Sequence, residues 1–154
     1  AAARAREAEL ARLEAELVNQ EAQALKLQLA GLRSEPRPDG LAIVLGDIFF
    51  GSGQSALKPE AADSMAPVVE FLQRYPGLPV RVVGYTDDRG NADANLALSR
   101  RRAESVRSAL VSAGAEAARL EVSGRGAADP LAGNETAAGR ARNRRVEVLV
   151  VGAK

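Results

Sequence analysis

The stretch from Val80 to Arg102, VRVVGYTDDRGNADANLALSRRR, constrains this chain most, because two structural periods meet in it. Val80, Val82 and Val83 are β-branched within a mostly apolar run, which predicts a strand. Beyond it, LALSRRRAESVRSALVSAGA keeps apolar residues at helical spacing up to Gly114, a natural glycine just past a helix end. The acidic pair Asp87 and Asp88 and a turn around Gly90 lie between the two. At about 100° per residue, Leu98, Val106, Ala109, Leu110 and Ala113 form one apolar stripe. Arg102 falls in the middle of that stripe, and Asn95 shares its face, while Arg100 and Arg107 point toward the expected solvated side. A guanidinium aimed at a core keeps its proton and must find an anion or carbonyls. The nearest candidate is Asp87, at the end of the strand that feeds the helix. The pair is either an internal salt bridge or half of a ligand site, and charge and spacing leave both open.

The residues GYTDDRGNADANLALSRRRAESVRSAL resemble the signature of the OmpA-like peptidoglycan-binding domain, usually G-H-T-D-x-x-G and then N-x-x-L-S-x-x-R-A-x-x-V-x-x-x-L. Downstream, GRGAADPLAGNETAAGRARNRRVEVLV is similar to that family's G-x-G, P, N-x-T, G-R-x-x-N-R-R-V-E ending. With FFGSGQSALKP upstream, the resemblance spans roughly Asp39 to Val151, as several spaced motifs in the right order. It implies non-covalent binding of peptidoglycan, with Asp87 and Arg102 at the two defining positions. Thr86, Asn95 and Leu96 occupy supporting positions, and Arg144 stands where the family places an arginine beside the ligand groove. Arg145 is expected to be structural or exposed. Two departures stand out. Tyr85 replaces the usual histidine, which implies altered support behind Thr86, and Gly51 and Gly53 stand where acidic residues are frequent. Side-chain contacts from that loop are therefore not expected, while its backbone amides remain available.

The physical reading of this set is capture of a zwitterion. Asp87 offers a carboxylate to an ammonium, and Arg102 offers a two-pronged donor to a carboxylate. Both charges on one carbon describe the free D-end of diaminopimelate in Gram-negative peptidoglycan stems, which is the ligand the resemblance implies.

Composition narrows the alternatives. The 154 residues suffice for one domain and an appendage; 46% are hydrophobic but only 3% aromatic, so aliphatics and alanine must build the core. With 21 basic and 20 acidic residues, no global field draws nucleic acid, and few rings are present to stack bases. The chain has no cysteine and no histidine, which excludes disulfides, thiol nucleophiles, Ser-His-Asp arrangements and the usual zinc sets. No cofactor is expected. Asp87 and Asp88 are neighbours on an extended backbone, so their carboxylates diverge and cannot flank a glycosidic bond. A non-enzyme is therefore expected.

Along the chain, residues 1–33 read as one amphipathic helix, with Leu10, Leu13, Leu17, Leu25, Leu29 and Leu32 in register and the stripe interrupted at Gln20 or Glu21. It either packs on partners outside these residues or forms a parallel coiled-coil homodimer. Residues 34–40, SEPRPDG, read as a linker, and residues 41–151 as the OmpA-like domain. LAIVLGDIFF reads as a strand, Pro59–Tyr75 as a helix interrupted at Pro67, RLEVSGRG as a strand, Ala127–Ala141 as a long loop with a short helix near its end, and RVEVLVV as a last strand. Arg140 and Arg142 read as solvated charge at a strand entry. The order β-α-β-α-β-β predicts an α+β two-layer sandwich, a mixed sheet with helices on one face, preceded by the long helix.

The expected function is tethering of an outer membrane, or an envelope complex, to the cell wall from the periplasm of a Gram-negative bacterium. Chain start at Ala1, without methionine or an apolar span of about 20 residues, leads to the expectation of an upstream anchor, as in a lipoprotein. The alternative is an assembly module that oligomerises through the N-terminal helix and binds nothing in the groove.

Overall fold

The computed structural model describes residues 2–154. Helix α1 spans Ala2–Leu29, followed by strands β1 (Arg33–Arg37) and β2 (Gly40–Gly46). Then come helix α2 (Ala62–Gln73), strand β3 (Val80–Tyr85), helix α3 (Ala92–Ser112), strand β4 (Leu120–Gly124), helix α4 (Ala137–Asn143) and strand β5 (Arg145–Val151). The five strands form one sheet in the order β1-β2-β5-β3-β4, with β3 and β4 parallel and the other pairs antiparallel.

Strand alternation decides which face is covered. Ile43, Leu45, Val80, Val82, Val146, Val148 and Val150 point to one face and are fully or almost fully buried. They share a cluster with Met65, Val68 and Leu72 of α2 and Val106 and Leu110 of α3. This is the α+β layering that the element order predicts. The opposite face carries Arg37, Tyr85, Arg145 and Glu147, joined by charge rather than by a second helical layer.

Several local expectations change. The stretch read as a linker forms β1, pairing Arg33 with Val44 and Arg37 with Gly40 across a tight turn. Prolines hid it, yet Pro36 lies in an edge strand, where a missing N–H costs no central ladder bond. Strand β2 stops at Gly46, and Asp47–Phe49 turn into a short 3-10 segment in place of a continued strand. Helix α2 is preceded by a 3-10 turn at Pro59–Ala61 and continues through Pro67 without a break.

Helix α3 ends where Gly114 predicts, and both of its ends are chemically marked. Asn91 caps its start by accepting from the Ala94 N–H at 3.0 Å. Gly114 adopts φ +114° beyond its end, and the Ala115 N–H reaches back to the Leu110 carbonyl at 2.9 Å. Arg107, expected in solvent, instead donates to the carbonyls of Leu120 and Ala117 and ties α3 to the start of β4.

Helix and sheet meet without an intervening side-chain layer at two glycines. A Cβ at Gly84 would overlap the Ser99 carbonyl oxygen, and one at Gly124 would lie 2.5 Å from the Arg100 nitrogen. Ser99, fully buried, accepts from the Gly126 N–H at 3.0 Å, so α3 is also bonded to the loop after β4.

The C-terminal end of α1 belongs to the same body. Leu27 and Leu32 are buried in the core, Arg74 bonds Gln23, and Lys26 pairs with Glu70 at 3.4 Å. Leu10, Leu13 and Leu17 are exposed. Leu25 and Leu29 are exposed as well, so of the predicted stripe only Leu32, beyond the helix end, is buried, and the docked end buries Leu27 instead.

Candidate functional site

At the C-terminal end of β3 a groove of about 510 Å³ opens between the β2–α2 connection, the β3–α3 loop, α3 and the residue preceding β5. Thr86, Asp87, Asn95, Arg102 and Arg144, all singled out from sequence, line it together. Leu96 does not. It is exposed and lies against Gly126, and Leu98 lines the groove in its stead.

Arg102 is only 4% exposed. Its Nε donates to the Gln54 carbonyl at 2.8 Å, and its guanidinium lies 4.9 Å over the centre of the Phe50 ring. Among the described residues, Nε is its one nitrogen with a protein acceptor. Burial pulls its pKa below the ordinary arginine value, and the charges of Asp47 and Asp87 act against that pull. An arginine stays charged regardless, so a buried cation with unspent donors faces the groove.

The internal bridge between Asp87 and Arg102 does not form. Oδ2 of Asp87 instead accepts Nη1 of Arg144 at 2.7 Å, together with Nη2 and Nε of Arg89 at 3.2 and 3.3 Å. Oδ1 accepts the Arg89 backbone N–H at 3.0 Å. Burial alone would raise the Asp87 pKa, but the bonds from Arg144 and Arg89 outweigh it and hold the carboxyl below its usual range. Arg144 is itself fixed, its Nε donating to Asp47 Oδ2 at 2.7 Å, and burial is outweighed by these two carboxylates, which raise its pKa. Asp47, Arg144 and Asp87 thus form a continuous charged chain along one wall.

The supporting residues shape the loop. Asn95 Nδ2 donates to the Arg89 carbonyl at 2.7 Å, bracing the β3–α3 turn from the first part of α3. Thr86 Oγ1 donates to the Asp87 carbonyl at 2.8 Å, and the Thr86 N–H bonds the Gly126 carbonyl. Gly51, Ser52 and Gly53 line the opposite wall, and the Gln54 carbonyl beside them holds Arg102. The backbone supplies this loop's interior contact with Arg102.

Tyr85 faces away from the groove. Its ring lies on the opposite side of the sheet, 3.8 Å from the Arg145 guanidinium. The tyrosine in place of histidine therefore supports β5 rather than the groove. Arg145 is structural: it donates to Glu147 at 2.6 Å and to the carbonyls of Asn143 and Asp129. Arg140, read as solvated, donates to the Asn134 carbonyl while its Nε is buried without a partner.

Asp47, Phe50, Gln54 and Arg89 escaped the sequence reading. Asp47 had a signal, an acid breaking the apolar run LAIVLGDIFF, but nothing in that run indicates a partner 97 residues away.

The family model for the OmpA family matches residues 49–144. The chain belongs to the OmpA family. The Escherichia coli probable lipoprotein YiaD is 40% identical over 136 residues, covering 82% of this chain and 62% of the relative. The peptidoglycan-binding protein ArfA of Mycobacterium tuberculosis is 37% identical over 109 residues, covering 71% and 33%. This OmpA-family chain spans less than two thirds of the length of these curated relatives. Among solved structures, a putative MotB-like protein from Desulfovibrio vulgaris superposes with a TM-score of 0.72 at 27% identity, covering 88% of this chain and 93% of that one. The cell wall anchor of the T6SS from Pseudomonas aeruginosa gives 0.69 at 29% identity, covering 92% and 96%.

Proposed function

We propose that this OmpA-family chain binds peptidoglycan non-covalently through the free D-centre of diaminopimelate. It thereby tethers an outer membrane or envelope complex to the wall on the periplasmic side of a Gram-negative envelope. One observation carries the reading: Arg102, a buried cation with most of its donors unspent, lines one groove with an ionised Asp87. A ligand that places a carboxylate at the first and an ammonium at the second fills the unspent donors of Arg102 and pairs with the anion of Asp87. The names of ArfA and of the Pseudomonas wall anchor support the same ligand class. The test is binding of a muropeptide whose stem ends in free diaminopimelate, against one ending in lysine. The first is retained and the second is not, because lysine has no carboxylate at its side-chain terminus. Equal retention of the two sinks the reading.

Binding without turnover is the expected outcome. Hydrolysis of a glycosidic bond needs a carboxyl that is protonated near neutral pH, whereas Asp87 is held ionised by two arginines. Incubation with purified sacculi should release no muropeptides above a boiled control, and release above it overturns the non-enzyme assignment.

A second property rests on α1. Its uncovered face presents Leu10, Leu13 and Leu17, while its C-terminal end is docked on α2. Parallel pairing of two chains covers that face without disturbing the groove, since the helix extends from its docked end. Sedimentation over a concentration range should show weak self-association of the whole chain. Replacing Leu10, Leu13 and Leu17 by lysine should leave it monomeric, and a parent that is monomeric throughout refutes pairing. No helix among the described residues is long and apolar enough to cross a membrane.

A further inference from the structure

We propose that Arg89 is a competitor built into the site: its guanidinium and the ligand's ammonium share Oδ2 of Asp87, so occupation by one excludes the other. The inference rests on the zwitterion reading above and concerns what the ammonium must displace.

A carboxylate offers about four acceptor positions. Asp87 already receives four donors: Arg144 Nη1, Arg89 Nε and Arg89 Nη2 on Oδ2, and the Arg89 N–H on Oδ1. Three of these converge on Oδ2, which has two acceptor positions, so an ammonium that bonds Oδ2 replaces one of them. The backbone N–H is fixed by the turn at Gly90, whose φ is +87°. Arg144 is held from both sides, at 2.7 Å to Asp87 and 2.7 Å to Asp47, and its side chain is 26% exposed. The Arg89 side chain is 64% exposed, its two bonds are the longest of the four, and its guanidinium has no other acceptor among the described residues. An exposed ion pair of this kind contributes little in water. Arg89 is the donor that leaves.

The same geometry gives the variant a sound fold. The bond that shapes the loop comes from the Arg89 backbone, so Arg89→Ala keeps it while removing only the competing guanidinium. Calorimetry with the muropeptide ending in free diaminopimelate should show Arg89→Ala binding about two- to fivefold tighter than the parent. With that D-centre amine acetylated, the advantage of Arg89→Ala should disappear. Arg100→Ala removes an equal charge from a side chain paired with Glu104 on the exposed side of α3, and should match the parent. A parent that binds while Arg89→Ala binds equally or more weakly overturns the competition and leaves the zwitterion reading standing. An Arg89→Ala advantage that survives acetylation also overturns the competition, because the ammonium is then not what displaces Arg89. A parent and variant that both fail to bind overturn the two together.

Discussion

Arg102→Ala and Asp87→Ala should each abolish retention of the protein on purified sacculi. Each removes the partner of one charge of a zwitterion that has given up its water to enter the groove. Removing one charge-assisted hydrogen-bond partner there costs about 2–5 kcal/mol, enough to take a micromolar interaction out of a pull-down. The observed pairing separates this from a stability effect. Because Asp87 bonds Arg144 and Arg89, Arg102→Ala breaks no bridge to Asp87; it removes one bond to the Gln54 carbonyl and the stacking on Phe50. Asp87→Ala leaves Arg144 still bound to Asp47 but also removes the acceptor of the Arg89 N–H that shapes the loop, so Arg102→Ala is the cleaner of the two. Both variants should therefore melt as single folded species, with Arg100→Ala as the unaffected control. A folded Arg102→Ala protein that binds sacculi like the parent would return Arg102 to a purely structural role.

The largest stability loss is expected at Glu147, on the opposite face of the sheet. Its carboxylate accepts Arg37 Nε at 3.0 Å, Arg37 Nη2 at 3.2 Å and Arg145 Nε at 2.6 Å, and both Glu147 and Arg145 are buried. Glu147→Ala leaves the buried Arg145 guanidinium without an anion and Arg37 with Glu35 alone, which costs about 3–5 kcal/mol. In a domain of this size that lowers Tm by roughly 10 °C. Burial would raise the Glu147 pKa, but the bonds from Arg37 and Arg145 outweigh it, so the folded value lies below the ordinary one. A depressed folded pKa means that this stabilisation is fully present above the unfolded value, near 4.5, and is lost as pH falls through the folded value. Melting curves from neutral to acid pH should show that loss in the parent, with a smaller acid-side slope in Glu147→Ala. Since the network does not touch the groove, the variant should still bind sacculi below its melting point. An unchanged Tm would show that the triad contributes nothing net.

What was legible from sequence follows the range of the interactions involved. Helix α3 announced itself through its period and its Gly114 stop, both local signals, while the Asn91 cap at its start emerged only in the structure. The inward aim of Arg102 followed from the same period. Arg144 was legible only through the resemblance, since no periodicity links it to a strand 57 residues earlier. The pairing pattern was not legible. That Arg144 rather than Arg102 meets Asp87 depends on Asp47, which reaches the site through a turn that ends β2 earlier than its apolar run suggests. Strand β1 was hidden for a different reason: it pairs through its backbone at a sheet edge, where two prolines and three charges read as a linker. Leu96 was misplaced by two residues relative to Leu98, a shift that turns a helical side chain by about 200°.

Gly84 and Gly124 bear on selectivity. Asp87 follows β3 and Arg102 rides on α3; at Gly84 these two elements touch backbone to backbone, and at Gly124 the neighbouring β4 also comes close to α3. The span between the jaws of the groove is therefore a main-chain dimension, which core side chains can vary without stretching. Under the proposed zwitterion capture, such a gauge would accept a carboxylate and an ammonium at one fixed separation and penalise ligands that carry the same charges further apart. Its stiffness also means that little ordering would remain to be done when the proposed ligand arrives.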